Sequence, residues 1–372
     1  MFDTLELSTR TALVLWGAFL VSALFGAAAR GGRFCTMGAI SDAYGIGDWT
    51  RLRQWAFAAG VAILGFAGLV QGGWVDPADT VYASDRLYLA STLLGGVLFG
   101  FGMVLASGCG SRTLLRIGSG SLKALVVFLV MALAAFATIK GITAVVRVAT
   151  VDRVVWSVAS GTALSDGLAQ AVGWPAAYAR LLLSFLLGGG LIAWALVDRA
   201  FRTPIHVSTS LAVGLSIVGM WFVTGHVGHV LEHPQTLEEV YLATNTGRIE
   251  AMTFTGPMAY ALDWLIYFSD RGKLLTVGVV SVWGVVVGAW VHALLTRSFR
   301  WEGFRTTEDL ANHLVGGVLM GVGGVTALGC TIGQGLSGLS TLSANSVLAL
   351  IGIFAGAIAG LRYQTWRLER MA

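Results

Sequence analysis

A run of about 20 mostly apolar residues is long enough to cross the hydrocarbon core of a bilayer as a helix. This chain has nine such runs, at 9–29, 55–72, 88–106, 122–146, 180–197, 207–224, 274–295, 312–328 and 345–363. Lipid offers no partner to a free N–H or C=O, so each crossing segment must satisfy its backbone internally. Only 12% of the residues are charged, against about 25% in soluble domains. The expected fold class is therefore an all-α integral membrane protein with about nine transmembrane helices.

Loop charge sets the expected orientation. Arg30, Arg33, Arg51, Arg53, Arg112, Arg116, Lys123, Arg199, Arg202, Arg297, Arg300, Arg305, Arg362, Arg367 and Arg370 fall on one side. Asp76, Asp79, Asp85, Glu232, Glu238, Glu239 and Glu250 fall in the alternate loops. Basic loops stay cytoplasmic, which puts the N-terminus outside, the C-terminus inside and makes the span count odd. "MFDTLELSTR" is acidic before Arg10, unlike the basic start of a signal peptide, so "AAARG" at 27–31 is not read as a cleavage site. The net charge of +4 reflects the loop asymmetry. No basic stripe with interleaved aromatics occurs, so no nucleic-acid partner is expected; the partner of the surface is the lipid bilayer.

The chain also repeats itself. "GGVLFGFGMVLASGCG" (95–110) aligns without gaps on "GGVLMGVGGVTALGCT" (316–331), an offset of 221 that matches Gly95, Gly96, Gly100, Gly102, Gly108 and Cys109 with identical residues. A fixed register of this kind marks an internal repeat. Four spans, one linking span and four spans would invert the second half, as in transporters with midplane sites. We read a single transport domain over 1–372, with a first inverted half at 9–146, a linking span at 180–197 and a second inverted half at 207–363. "RFCTMGAISDAYG" (33–45) has a weaker counterpart in "TFTGPMAYALDWL" (253–265), in which Thr255 or Thr253 stands in place of Cys35. Four segments, about 33–45, 107–120, 253–267 and 329–342, are too short to span and too apolar for exposed loops. They are expected to be re-entrant, since irregular backbone at membrane depth is tolerated only inside protein or along a cavity.

All three cysteines, Cys35, Cys109 and Cys330, sit in these segments. A lone cysteine is ordinarily a small buried hydrophobe; three at matching turns point to function. Their odd number speaks against a disulfide framework, and no CxxC or HxxxH spacing accompanies the cysteines to support zinc. Thiolates could select copper(I); neutral thiols could donate weakly to a sulfur-bearing substrate. The neighbours favour an anion. Thr36, Ser111, Arg112, Thr113, Thr331, Gln334, Ser337 and Ser340 crowd short turns that open helices, where free N–H groups and the dipole attract oxyanions. Helix capping competes as an explanation for the hydroxyls, and positive-inside anchoring for Arg30, Arg33, Arg112 and Arg116. His226, His229 and His233 recur at i, i+3 and i+7, near one helical face, but lie far from the cysteines, and a capping or interfacial role is the simpler account. The segment 147–179 reads as one or two short interfacial helices broken at Gly173–Pro175. No Walker sequence, GxSxG or HExxH occurs, so neither hydrolase chemistry nor a cofactor is expected.

"GRFCTMGAISD", "ASGCGSRTLLR" and "LGCTIGQGLSGLS" in this order resemble the YeeE/YedE family of bacterial inner-membrane thiosulfate transporters. The resemblance implies an hourglass-like fold of two pseudo-symmetric inverted halves whose short helices bring the cysteines to the centre. It implies that Cys35, Cys109 and Cys330 pass thiosulfate along by S–H···S hydrogen bonding; the polar neighbours Thr36, Ser111, Arg112, Thr331 and Gln334, and Thr255 from the repeat, are further candidate ligands read from the residues themselves. It also implies a small cytosolic sulfurtransferase as partner. A membrane thiol oxidoreductase, or a carrier of selenium species or soft metal ions, is the alternative.

Overall fold

A computed structural model describes residues 6–158, 160–234, 237–270 and 272–371; the first five residues of the acidic N-terminal stretch lie outside it. Long helices are α1 (Leu7–Gly31), α3 (Thr50–Gln71), α4 (Leu89–Leu105), α6 (Leu122–Lys140), α9 (Ala176–Val197), α10 (Pro204–Phe222), α12 (Val277–Leu295), α13 (Thr307–Thr326) and α14 (Ala344–Met371). Short ones are α2 (Thr36–Gly45), α5 (Gly110–Gly118), α7 (Ile142–Ala149), α8 (Leu164–Val172) and α11 (Thr255–Ile266). Eight helical stretches are long and apolar enough to cross a membrane. The remaining expected span, 312–328, is α13, which opens on Glu308 and Asp309 and is diluted by glycine. The protein is a multi-pass, all-α membrane protein.

Several expectations need correction. The run 122–146 is not one helix. It breaks at Gly141, whose extended backbone (φ −105°, ψ −153°) ends α6 and starts α7, with Ile142, Val145, Val146 and Val148 exposed. Residues 147–179 do contain a short helix, α8, stopped by left-handed Gly173, but also the strand Val155–Ser157, paired with Arg86–Tyr88. The three histidines share no helical face. After α10 the chain makes a π-helical turn (Val223–Val227), and His229 then lies in a strand paired with Tyr241, its Nε2 2.5 Å from Glu239.

Glycine decides how the long helices meet. A Cβ at Gly95 would fall 2.7 Å from Gly323 O, and one at Gly323 would fall 2.6 Å from Gly95 O. The same holds for Gly102 against Gly316 O (2.8 Å) and Gly316 against Gly102 O (2.6 Å). Adding the repeat offset to Gly95 gives Gly316, and adding it to Gly102 gives Gly323, so the α4–α13 contact maps onto itself. The next layer obeys the same rule: α4 lays Gly96 and Gly100 on α14, and α13 lays Gly317 and Gly321 on α6. Elsewhere α1 packs on α12 through Gly26, Gly284 and Gly288, and α10 on α3 through Gly214. Lipid supplies little hydrophobic drive between helices, so close backbone approach does the work. α9 meets α3 at Gly188 and Gly60, and its outward Tyr178, Phe185 and Leu186 remain exposed.

Gly100→Ala and Gly321→Ala should each lose about 1–3 kcal/mol by overpacking, whereas Gly189→Ala, with open space around its position, should be neutral. Thermal melts of the solubilised variants, followed by size-exclusion chromatography, check the contrast.

Candidate functional site

One local construction recurs before each cysteine. At the end of α1, Gly32 N–H donates to Ala28 O and Phe34 N–H to Ala29 O. At the end of α4, Ala106 donates to Gly102 and Gly108 to Met103; at the end of α13, Ala327 donates to Gly323 and Gly329 to Gly324. These bonds satisfy the last helical carbonyls and require a left-handed residue. Arg33 (φ 54°), Ser107 (φ 56°) and Leu328 (φ 59°) supply it, each two residues before a cysteine.

The cysteines then start new helical turns. The first i→i+4 bonds run from Ala39 N–H to Cys35 O, from Thr113 to Cys109, from Met258 to Phe254 and from Gln334 to Cys330. This alignment corrects the expected counterpart of Cys35: Phe254 holds its place, between Thr253 and Thr255, and Thr255 matches Thr36. Cys35 Sγ accepts from Gly38 N–H at 3.4 Å, and Cys330 Sγ from Gly333 N–H at 3.4 Å. Cys330 opens a π-helical turn, Gly333–Gly338, rather than a regular helix.

The four starts converge. Cys35 and Cys109 lie side by side although 74 residues separate them in sequence, and Thr331 stands beside Cys109. Cys109 Sγ is 3.3 Å from Ser111 Oγ. Cys330 lies further along, within electrostatic reach of Cys109, with Thr253 Oγ1 at 3.9 Å and the Phe254 N–H against its sulfur. Cys109 and Cys330 are wholly buried and Cys35 half-buried; all three are free thiols. Thr36, Thr255 and Thr331 are buried too, and their Oγ1 atoms have no well-formed hydrogen bond. An unsatisfied buried hydroxyl costs about 1–3 kcal/mol, and such exceptions call for an explanation.

Not every candidate residue faces this centre. Gln334 braces its own turn, giving Nε2 to Ala327 O (2.8 Å) and taking Ser346 Oγ on Oε1 (2.5 Å), while its edge lines a cavity of about 470 Å3. That cavity, on the acidic-loop side, also holds Thr253, Gly329, Tyr82, Arg248 and Glu250. Arg112 lines a different cavity, of about 410 Å3, on the basic face. No cysteine is among the residues lining either cavity, but Thr253 and Gly329 of the first adjoin Cys330, and Arg112 of the second follows Cys109 by three residues. Sequence reasoning missed Phe254, Arg248, Tyr82, whose hydroxyl donates to Gly333 O at 2.6 Å, and Trp221, whose Nε1 donates to Ser340 Oγ at 2.9 Å. Phe254 was discoverable by registering helix starts; the others act through long-range folding and leave no local signal.

Because Ser107 is exposed, its left-handed backbone can be probed without disturbing packing. Ser107→Val should lower stability by about 1–2 kcal/mol and Ser107→Gly should not, as read by thermal unfolding.

A family model described as sulphur transport matches residues 31–359. The thiosulfate transporter TsuA of Escherichia coli (strain K12) is 26% identical over 352 residues, covering 92% of this chain and 92% of that protein. The thiosulfate transporter TsuA of Spirochaeta thermophila is 27% identical over 359 residues, covering 92% of this chain and 97% of its own.

Proposed function

The chain belongs to the sulphur-transport family, and from that premise we propose that it carries thiosulfate, or a close sulfur oxyanion, inward across the bacterial inner membrane. It is a transporter and not an enzyme. The observation that carries the reading is the set of three free thiols, each at the start of a short helical turn, with a Gln334-lined cavity next to Cys330 and an Arg112-lined cavity next to Cys109.

Thiosulfate has a soft terminal sulfur and a hard oxyanion end, and this centre offers both kinds of partner. Neutral S–H groups of Cys330, Cys109 and Cys35 donate to the terminal sulfur in turn. The unsatisfied hydroxyls of Thr255, Thr331 and Thr36, with Ser111 beside Cys109, donate to the oxygens. Free N–H groups at the helix starts add positive potential. No bond of the substrate breaks. The anion enters by the Gln334-lined cavity and leaves by the Arg112-lined one. The exchanged glycine contacts support the division into inverted halves, 9–146 and 207–363, joined by 180–197, with 33–45, 107–120, 253–267 and 329–342 as re-entrant segments. Loop charge supports a periplasmic N-terminus, a cytoplasmic C-terminus and nine spans. Thiosulfate delivered inside needs an acceptor, and a small cytosolic sulfurtransferase docking on 296–309 or on the tail fits that need; without it, co-expression of such a protein would leave uptake unchanged.

Uptake of labelled thiosulfate tests the relay. Cys35→Ala, Cys109→Ala and Cys330→Ala each remove a donor worth roughly 0.5–1.5 kcal/mol, and more in a desolvated site, so transport at equal membrane abundance should fall by about tenfold or more. Near-normal uptake by all three would return the cysteines to small buried hydrophobes. Reporter fusions after residue 80 or near 240 should report the outside and fusions after 300 the inside; an outward C-terminus would break the nine-span reading.

A further inference from the structure

On the basic face, Arg30 at the end of α1, Arg112 and Arg116 on α5, and Arg300 and Arg305 between α12 and α13 line one cavity of about 410 Å3. The carboxylate in its lining, Glu302, is 3.4 Å from Arg116 and 3.8 Å from Lys123, so it is already shared. Among the described residues the guanidinium groups of Arg30, Arg112, Arg300 and Arg305 form no ion pair with a carboxylate; Asp309 accepts the backbone N–H of Arg305 at 3.5 Å, and its charge is already taken by Lys123 at 2.6 Å. Arg30 gives Nη2 to Ser298 Oγ at 3.2 Å, and its Nε is buried without a partner. Guanidinium groups stay charged at any physiological pH, so this cluster repels itself.

Positive-inside anchoring accounts for arginines in these loops. It does not account for their convergence on one cavity, nor for the way they are held. Arg300 N–H donates to Ser119 O at 3.1 Å, Glu302 N–H to Gly120 O at 3.2 Å and Leu122 N–H to Glu302 O at 2.9 Å. This backbone ladder fixes the α12–α13 loop against the end of α5. Arg112 lies on the first turn of the same short helix that starts at Cys109. The cavity is thus rigid, strongly cationic and one helical turn from the thiols.

We propose that this cavity binds a small, doubly charged tetrahedral oxyanion. The planar forks of its arginines suit such oxygens. Its role, which rests on the transport reading, is to hold the anion after the thiols release it, so that the hard charge finds compensation where the soft sulfur contacts end. Sulfate is the informative probe, since it shares charge and shape with thiosulfate but lacks the terminal sulfur.

The test is sulfate binding to the full chain in nanodiscs of neutral lipid. The wild type should bind sulfate saturably, with thiosulfate competing. Arg300→Gln with Arg305→Gln should weaken binding by about tenfold or more. Arg300→Lys with Arg305→Lys, which keeps the charge, should retain much of it and guards against a folding defect. Absence of saturable binding by the wild type, or equal binding by the Gln variant, would overturn the proposal. Loss of sulfate binding when the disc contains phosphatidylglycerol would assign the cavity to lipid headgroups and also overturn it. Failure of thiosulfate uptake in cells, with sulfate binding intact, would instead defeat the transport reading alone.

Discussion

Backbone resting on backbone at Gly95–Gly323 and Gly102–Gly316 is the contact on which the rest depends. It fixes the separation of α4 and α13, and therefore where the chain emerges from each. Both helices end in the same hydrogen-bonded cap and turn through a left-handed residue, so Cys109 and Cys330 are delivered by the same machinery from the two helices. A side chain at any of these glycines would push the pair apart and move both thiols. Precision at the centre is set by the absence of atoms some distance away.

The centre itself is polar in an economical way. Among the described residues it contains no buried carboxylate; thiols, threonine hydroxyls and helix-start N–H groups supply its polarity. With the thiols protonated, as the relay requires, none of these carries a full charge, which keeps the desolvation cost of the centre low. Full charges are kept for the two cavities, Arg248 and Glu250 in one and the arginine cluster in the other. An anion passing through would meet charge, then weak donors, then charge again.

Much of this was legible in the sequence, because apolar length and glycine register act locally. Span positions, the repeat, and short helical turns at each cysteine could all be read from spacing. The break at Gly141 could not, since glycine occurs within many of the uninterrupted helices here. Arg33, Ser107 and Leu328 bear no mark of positive φ in their residue type; the hydrogen-bonded cap at each helix end imposes it. The Cys35–Cys109 contact and the arginine cavity join segments far apart in the chain. The identity of Phe254 as the partner of Cys35 was obscured because the pairing is set by where a helix starts and not by residue type. The histidines misled for a related reason: helical spacing in sequence persisted after the helix had ended.

The crossed packing of α4 on α14 and of α13 on α6 has a consequence for how the molecule is made. Chains are synthesised from the N-terminus, and domains tend to fold in that order. Here α4 leaves the ribosome early with two glycine faces bare, and the helices that cover them, α13 and α14, come last. The first part of the chain must therefore wait in the bilayer, inserted but incomplete, until translation has nearly finished. A premature stop anywhere before α14 would remove the lid from the oldest surface in the protein, leaving a nascent product suited to quality-control proteolysis and not to partial function.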